Sequence, residues 1–213
     1  MPDITEALDL AIEATRETFL RNPANFSDER ALAEDTRRRL CSVLPPASVI
    51  AVTVEELSGA QGNIPDHEAY TARYRETPEI DRAQCEIGGA AFPFRANKRV
   101  DLAVLTDGVE LEVKGGTQEF RPVDLTAAVE FKYVKNINYL RYRPDDENSK
   151  YHDIAGDIER LRQLPEPVDC RCMVYSNYDL LRRDSDADAE QGLRKLAEEE
   201  GVALEFVLPE PSV

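Results

Sequence analysis

Two short apolar segments carry charges at positions that a strand pattern assigns to the interior. Val100–Leu105 is interrupted only by Asp101, and Ala127–Val134 carries Glu130 and Lys132. Side chains alternate faces along a strand. Asp101, Ala103 and Leu105 therefore share one face, with Val100, Leu102 and Val104 on the other. The second segment sets Val129, Phe131 and Tyr133 against Ala128, Glu130, Lys132 and Val134. Apolar residues on both faces indicate central strands covered by other elements. Two carboxylates and an ammonium thus fall where the pattern says core. Buried charges are costly unless they pair with each other or with a metal. The fold must be one that satisfies this cluster.

The rest of the chain supplies layers to cover those strands. Helical spacing of Ile4, Leu8, Ile12, Thr15 and Phe19 predicts an amphipathic helix over 3–20, with Asp3 as N-cap. A second helix starts behind Ser27, with Asp28 and Glu29 in its first turn, and runs to Pro45-Pro46. Its apolar line is Leu32, Ala33, Thr36, Leu40 and Val43; Glu29 lies on that side and Glu34 points away. A strand follows over 48–54. Residues 58–96 read as an irregular insertion with a short helix over 67–75. Beyond the central stretch, the polar segment 136–150 interleaves Tyr139, Arg141, Tyr142 and Arg143, a pattern that suits stacking on bases and phosphate contact. A helix over 151–164, a strand over 170–175, a helix over 185–200 ending at Gly201, and a strand over 202–208 complete the chain. The expected fold is α/β, a single mixed β-sheet flanked by helices, in one domain spanning 1–213.

Composition bounds the function. No apolar run approaches the ~18 residues of a membrane span, and no basic-then-apolar leader opens the chain. A soluble, cytoplasmic protein without a membrane partner is expected. Cys41, Cys85, Cys170 and Cys172 show no C-x-x-C pairing and read as structural thiols. Acidic residues number 42 against 26 basic, and only 6 of the latter are lysine. Many acids with few lysines resemble the proteins of salt-loading halophiles, archaeal ones in particular, in which excess charge is screened by concentrated salt.

An aspartate on one strand followed by Glu-x-Lys on a nearby one resembles the restriction-endonuclease-like, or PD-(D/E)XK, nuclease superfamily. Val100 stands in place of the motif's proline. The likeness continues through the Glu-Phe-Lys-Tyr strand, the helix Tyr151–Leu161 and the strand Met173–Asn177, and covers roughly residues 27–208. It implies an αβββαβ core and a metal-dependent nuclease, acting on DNA before RNA. It also implies Mg²⁺, replaceable by Mn²⁺, held by Asp101, Glu130 and the Phe131 carbonyl, with Glu29 of the first core helix assisting. Lys132 would orient the attacking water and stabilise developing negative charge. A homodimer is compatible with this reading. Two other readings stand beside it: an inactive nuclease-fold module that binds or regulates, and an acidic mimic of DNA.

A second Glu-x-Lys, Glu112-Val113-Lys114, competes. Only 10 residues separate Glu112 from Asp101, a hairpin distance, whereas 28 separate Glu130 from it. Patterning decides against the nearer pair. Glu110, Glu112 and Lys114 make one charged face opposite Val109, Leu111 and Val113, the alternation of a strand with a wet side. Residues 109–126 are read as an inserted strand and loop.

Overall fold

The computed structural model describes residues 3–55, 66–89, 91–94, 98–114, 117–134, 140, 150–177 and 184–209. The segment carrying Tyr139, Arg141, Tyr142 and Arg143 lies outside them. The helices are α1 (Ile4–Arg21), α2 (Glu29–Val43), α3 (His67–Arg75), α4 (Lys150–Leu161) and α5 (Asp184–Glu200). The strands are β1 (Ala47–Glu55), β2 (Glu79–Ile80), β3 (Ala83–Ile87), β4 (Val100–Leu105) and β5 (Val109–Lys114), then β6 (Thr117–Glu119), β7 (Leu125–Val134), β8 (Asp169–Ser176) and β9 (Ala203–Val207). None of the described helices is long and apolar enough to cross a membrane.

Five strands form one sheet in the order β3-β4-β7-β8-β9. The first three run antiparallel; β7–β8 and β8–β9 are parallel, joined by stretches that contain α4 and α5, as parallel neighbours require. One face carries Leu102, Val104, Val129, Phe131 and Tyr175 against Phe19 of α1 and Leu32 and Leu40 of α2. The other carries Ala103, Leu105, Ala128, Cys172 and Val174 against Ile154 and Ile158 of α4 and Leu193 of α5. Both faces of β4 and β7 are covered, as their apolar runs demand. Gly201, at φ +69°, ends α5, a conformation glycine adopts without penalty.

The expectation of a single sheet is corrected. A second sheet has the order β2-β1-β5-β6, with β1 and β5 parallel. Both edges of β4 are taken, by β3 and β7. β5, arriving through the Asp107-Gly108 turn, therefore has no edge to pair with on β4 and joins β1 instead. Asp107 fastens that turn by accepting from the Ser48 backbone N–H at 2.9 Å and its hydroxyl at 2.6 Å. So 109–126 is more than an insertion: Val109, Leu111 and Val113 pack into the same core as Ala103 and Leu105.

The region read as irregular, 58–96, contains α3 where the short helix was expected, and also β2 and β3. β3 escaped notice because Gln84, Cys85 and Glu86 give it no alternating pattern. Two local expectations change at α2. Asp28, not Ser27, is the N-cap, accepting from Ala31 N–H at 2.9 Å; Ser27 instead donates to the Asp28 carboxylate. Val43, at the helix end, is exposed rather than buried.

Candidate active site

The site forms where β4 ends and β7 continues. Their ladder runs from Leu105 opposite Leu125 to Leu102 opposite Val129. The next donor on that edge, Phe131 N–H, is taken at 2.8 Å by the Asp101 side chain rather than by backbone. Two residues on, Tyr133 N–H is met at 3.3 Å by Glu29, delivered by the first turn of α2. Two carboxylates therefore cap the exposed edge of β7. The N–H and C=O of one strand residue point to the same side, so the Phe131 carbonyl faces this edge as well.

On the adjoining face Glu130 and Lys132 project toward α4. Glu130 is 1 % exposed and accepts from Arg160 at 2.8 Å. Lys132 Nζ lies 2.6 Å from Asp157 and 3.9 Å from Glu29. Arg160 also reaches Asp157 at 2.5 Å, so α4 answers both charges of the Glu-x-Lys with an i, i+3 pair of opposite sign. Together these groups line a cavity of about 410 Å³, whose lining also includes Glu86, Lys98 and Arg99, and His152, Asp153 and Gly156 along α4. Six carboxyl groups and four Lys or Arg cations face it, a formal surplus of two negative charges when every carboxyl is ionised.

Burial dominates the electrostatics. It raises the Asp101 carboxyl above its ordinary range, opposed by the Phe131 N–H, a hydrogen bond with Glu130 and the charge of Lys132. Glu130 is raised further, first by burial and then by the charges of Asp101 and Asp157, which outweigh Arg160. The two carboxyls therefore titrate as a pair, both held above their ordinary range by burial first. Burial alone would lower Lys132, but Asp157 and Glu29 hold it above its usual value. It is a fixed cation.

Asp101, Glu130, Lys132, Glu29 and the Phe131 backbone are thus brought to one place. Asp157 and Arg160 belong to the same cluster and were missed. A signal existed: Ile154, Asp157 and Leu161 stand at i, i+3 and i+7, so Asp157 falls within the buried stripe of its helix and needs a partner there. Glu112 and Lys114 lie elsewhere, on the second sheet, both about a third exposed and 3.0 Å from each other. The cysteines are free; burial pushes Cys85 up to about 12 and Cys170 up to about 11, and keeps Cys172 well above its ordinary value, so these thiols stay protonated and inert.

Among the described residues no three His, Cys, Asp or Glu side chains close around a point as metal ligands. The arrangement is a pair, Asp101 and Glu130, beside a backbone carbonyl. That donor set fits Mg²⁺, which is bound by one or two carboxylates and keeps several waters. The charge surplus fits a divalent cation as well. No family model, curated protein or solved structure matches the chain.

Proposed function

We propose that the protein is a metal-dependent nuclease of the PD-(D/E)XK type, hydrolysing phosphodiester bonds, in DNA before RNA. The observation that carries the reading is the meeting of Asp101, Glu130 and Lys132 in one polar cavity at the point where β4 stops and β7 runs on alone. The order α2-β3-β4-β7-α4-β8, with β7 and β8 parallel, supports it. Asp101, Glu130 and the Phe131 carbonyl would hold Mg²⁺ or Mn²⁺, with Glu29 completing the set from α2. When bound, the ion supplies an acidified water and offsets charge on the phosphate. Lys132 orients that water and stabilises the charge that develops in the transition state. Asp157 holds Lys132 in place, and Arg160 holds Glu130.

Incubating the purified protein with DNA, and in parallel with RNA, in Mg²⁺ or Mn²⁺ tests the reading. Cleavage is expected, with a loss of about 100-fold or more in Asp101→Asn. Undiminished cleavage by that variant would place the chemistry elsewhere.

A second reading has an observation of its own. Asp101, Glu130 and Asp157 each have a partner within the chain, a state that also suits a nuclease-fold module that binds or regulates without cutting. DNA binding with no cleavage in either metal would favour it.

The acidic, lysine-poor composition supports work in concentrated salt. The melting temperature is expected to rise steadily from low salt to molar KCl as like charges are screened. A flat or falling curve would mark an ordinary acidic protein.

A further inference from the structure

Helix α4 faces the cavity with a line of residues spaced four apart, His152, Gly156 and Arg160. A glycine inside a helix weakens it relative to alanine, so its presence needs a reason. Packing supplies one for Gly192 of α5: a Cβ there would stand 3.1 Å from the Tyr151 hydroxyl. None applies to Gly156, where a Cβ would meet nothing within 4 Å. The space above it belongs to the cavity, midway between two nitrogen-bearing side chains one turn away on either side.

We propose that Gly156 is the saddle over which the substrate strand passes, its sugar-phosphate backbone lying against α4 between His152 and Arg160. This rests on the nuclease reading and deepens it by naming where the strand lies. A wall from outside α4 suits the same occupant. Lys98 and Arg99 line the same cavity as Gly156, and Arg99 is steadied by donating to the Glu86 carbonyl at 3.0 Å. Gly88 lets that wall approach, since a Cβ there would sit 2.6 Å from the Lys98 carbonyl oxygen. In a chain with only 6 lysines and a net charge of -16, cations on this wall are where an anionic strand gains attraction. The volume lies near the small end of the usual range for ligand sites, about 300–1,000 Å³. That is room for one nucleotide unit of a strand rather than for a duplex.

The test uses the full chain with Gly156→Ala and Gly156→Met, and a fluorescein-labelled DNA oligonucleotide with Ca²⁺ in place of Mg²⁺. Both variants gain helix propensity, so the melting temperature should rise by roughly 2–4 °C. Mn²⁺ affinity should be unchanged. Oligonucleotide affinity should fall by about tenfold or more in Gly156→Met, with KM rising in step and kcat little altered, and by less in Gly156→Ala. Wild-type affinity and KM in Gly156→Met, in a protein whose unsubstituted form cleaves, would overturn this inference alone. A lower melting temperature or lost Mn²⁺ binding would also overturn it, by showing that the space is not free. Neither binding nor cleavage by the unsubstituted protein would remove the nuclease reading and this inference with it.

Discussion

Lys132→Met is expected to weaken cleavage severely and to destabilise the protein by roughly 3 kcal/mol. The methionine keeps most of the apolar stem, so the loss isolates the charge. Lys132 Nζ stands 2.6 Å from Oδ2 of the buried Asp157, an oxygen that makes no well-angled hydrogen bond and so depends on this ion pair. Without the ammonium, Asp157 and Glu130 face each other with Arg160 alone between them. Breaking a buried pair from one side leaves a charge that water cannot reach, which is why the cost exceeds that of a surface pair. Cleavage should fall by about 100-fold or more through loss of transition-state stabilisation. Urea unfolding together with cleavage rates checks both halves. A stability within about 0.5 kcal/mol of the parent would show that the Asp157 contact contributes little.

Glu130→Gln should act in the opposite direction on stability and the same direction on activity. The Glu130 carboxyl, raised by burial and by Asp101 and Asp157, binds its proton more tightly folded than unfolded. The sign follows from linkage: the folded state holds more protons, so stability falls as pH rises from the ordinary value of 4.5 toward the raised one. Glutamine keeps the shape, removes that slope and relieves Asp101 of a like-charge neighbour. The variant should therefore match the parent in acid and exceed it increasingly toward neutral pH. Arg160 retains Asp157 as its partner. Metal affinity should fall by more than about 100-fold, the upper end of what losing a mere supporting contact costs. Parallel pH series of urea midpoints would show parallel curves if Glu130 were ordinary.

The charged interruptions in apolar strands were the most legible part of the chain. Asp101, Glu130 and Lys132 had to find partners in the interior, and they meet in one cavity. Strong periodicity placed α1, α2 and α4, because the apolar stripe that defines each is also the face it buries; α5 was read from its stop at Gly201. What stayed hidden depended on pairing at a distance. β3 is short and patternless, and becomes a strand because β4 offers it an edge. The split into two sheets follows from competition for the edges of β4, which no local pattern records. Sequence spacing taken alone points to the nearer pair for the same reason: the hairpin distance from Asp101 to Glu112 is real, yet the turn hands β5 to β1. Asp157 and Arg160 were legible only in part, since a charge in a helix's buried stripe announces a partner without naming it.

Calorimetric titration with Mn²⁺ of the parent, Glu130→Gln and Glu112→Gln addresses the central claim, that Asp101 and Glu130 make the metal site. Glu112 sits on a half-solvated strand face paired with Lys114, so its substitution should shift stability by only a few tenths of a kcal/mol. The parent and Glu112→Gln are expected to bind one ion with equal affinity, and to bind it more tightly as pH rises, because the raised Asp101 and Glu130 carboxyls must be ionised to ligate. Glu130→Gln is expected to bind it far more weakly. Retained binding in Glu130→Gln with loss in Glu112→Gln, or no binding by the parent, would contradict the account.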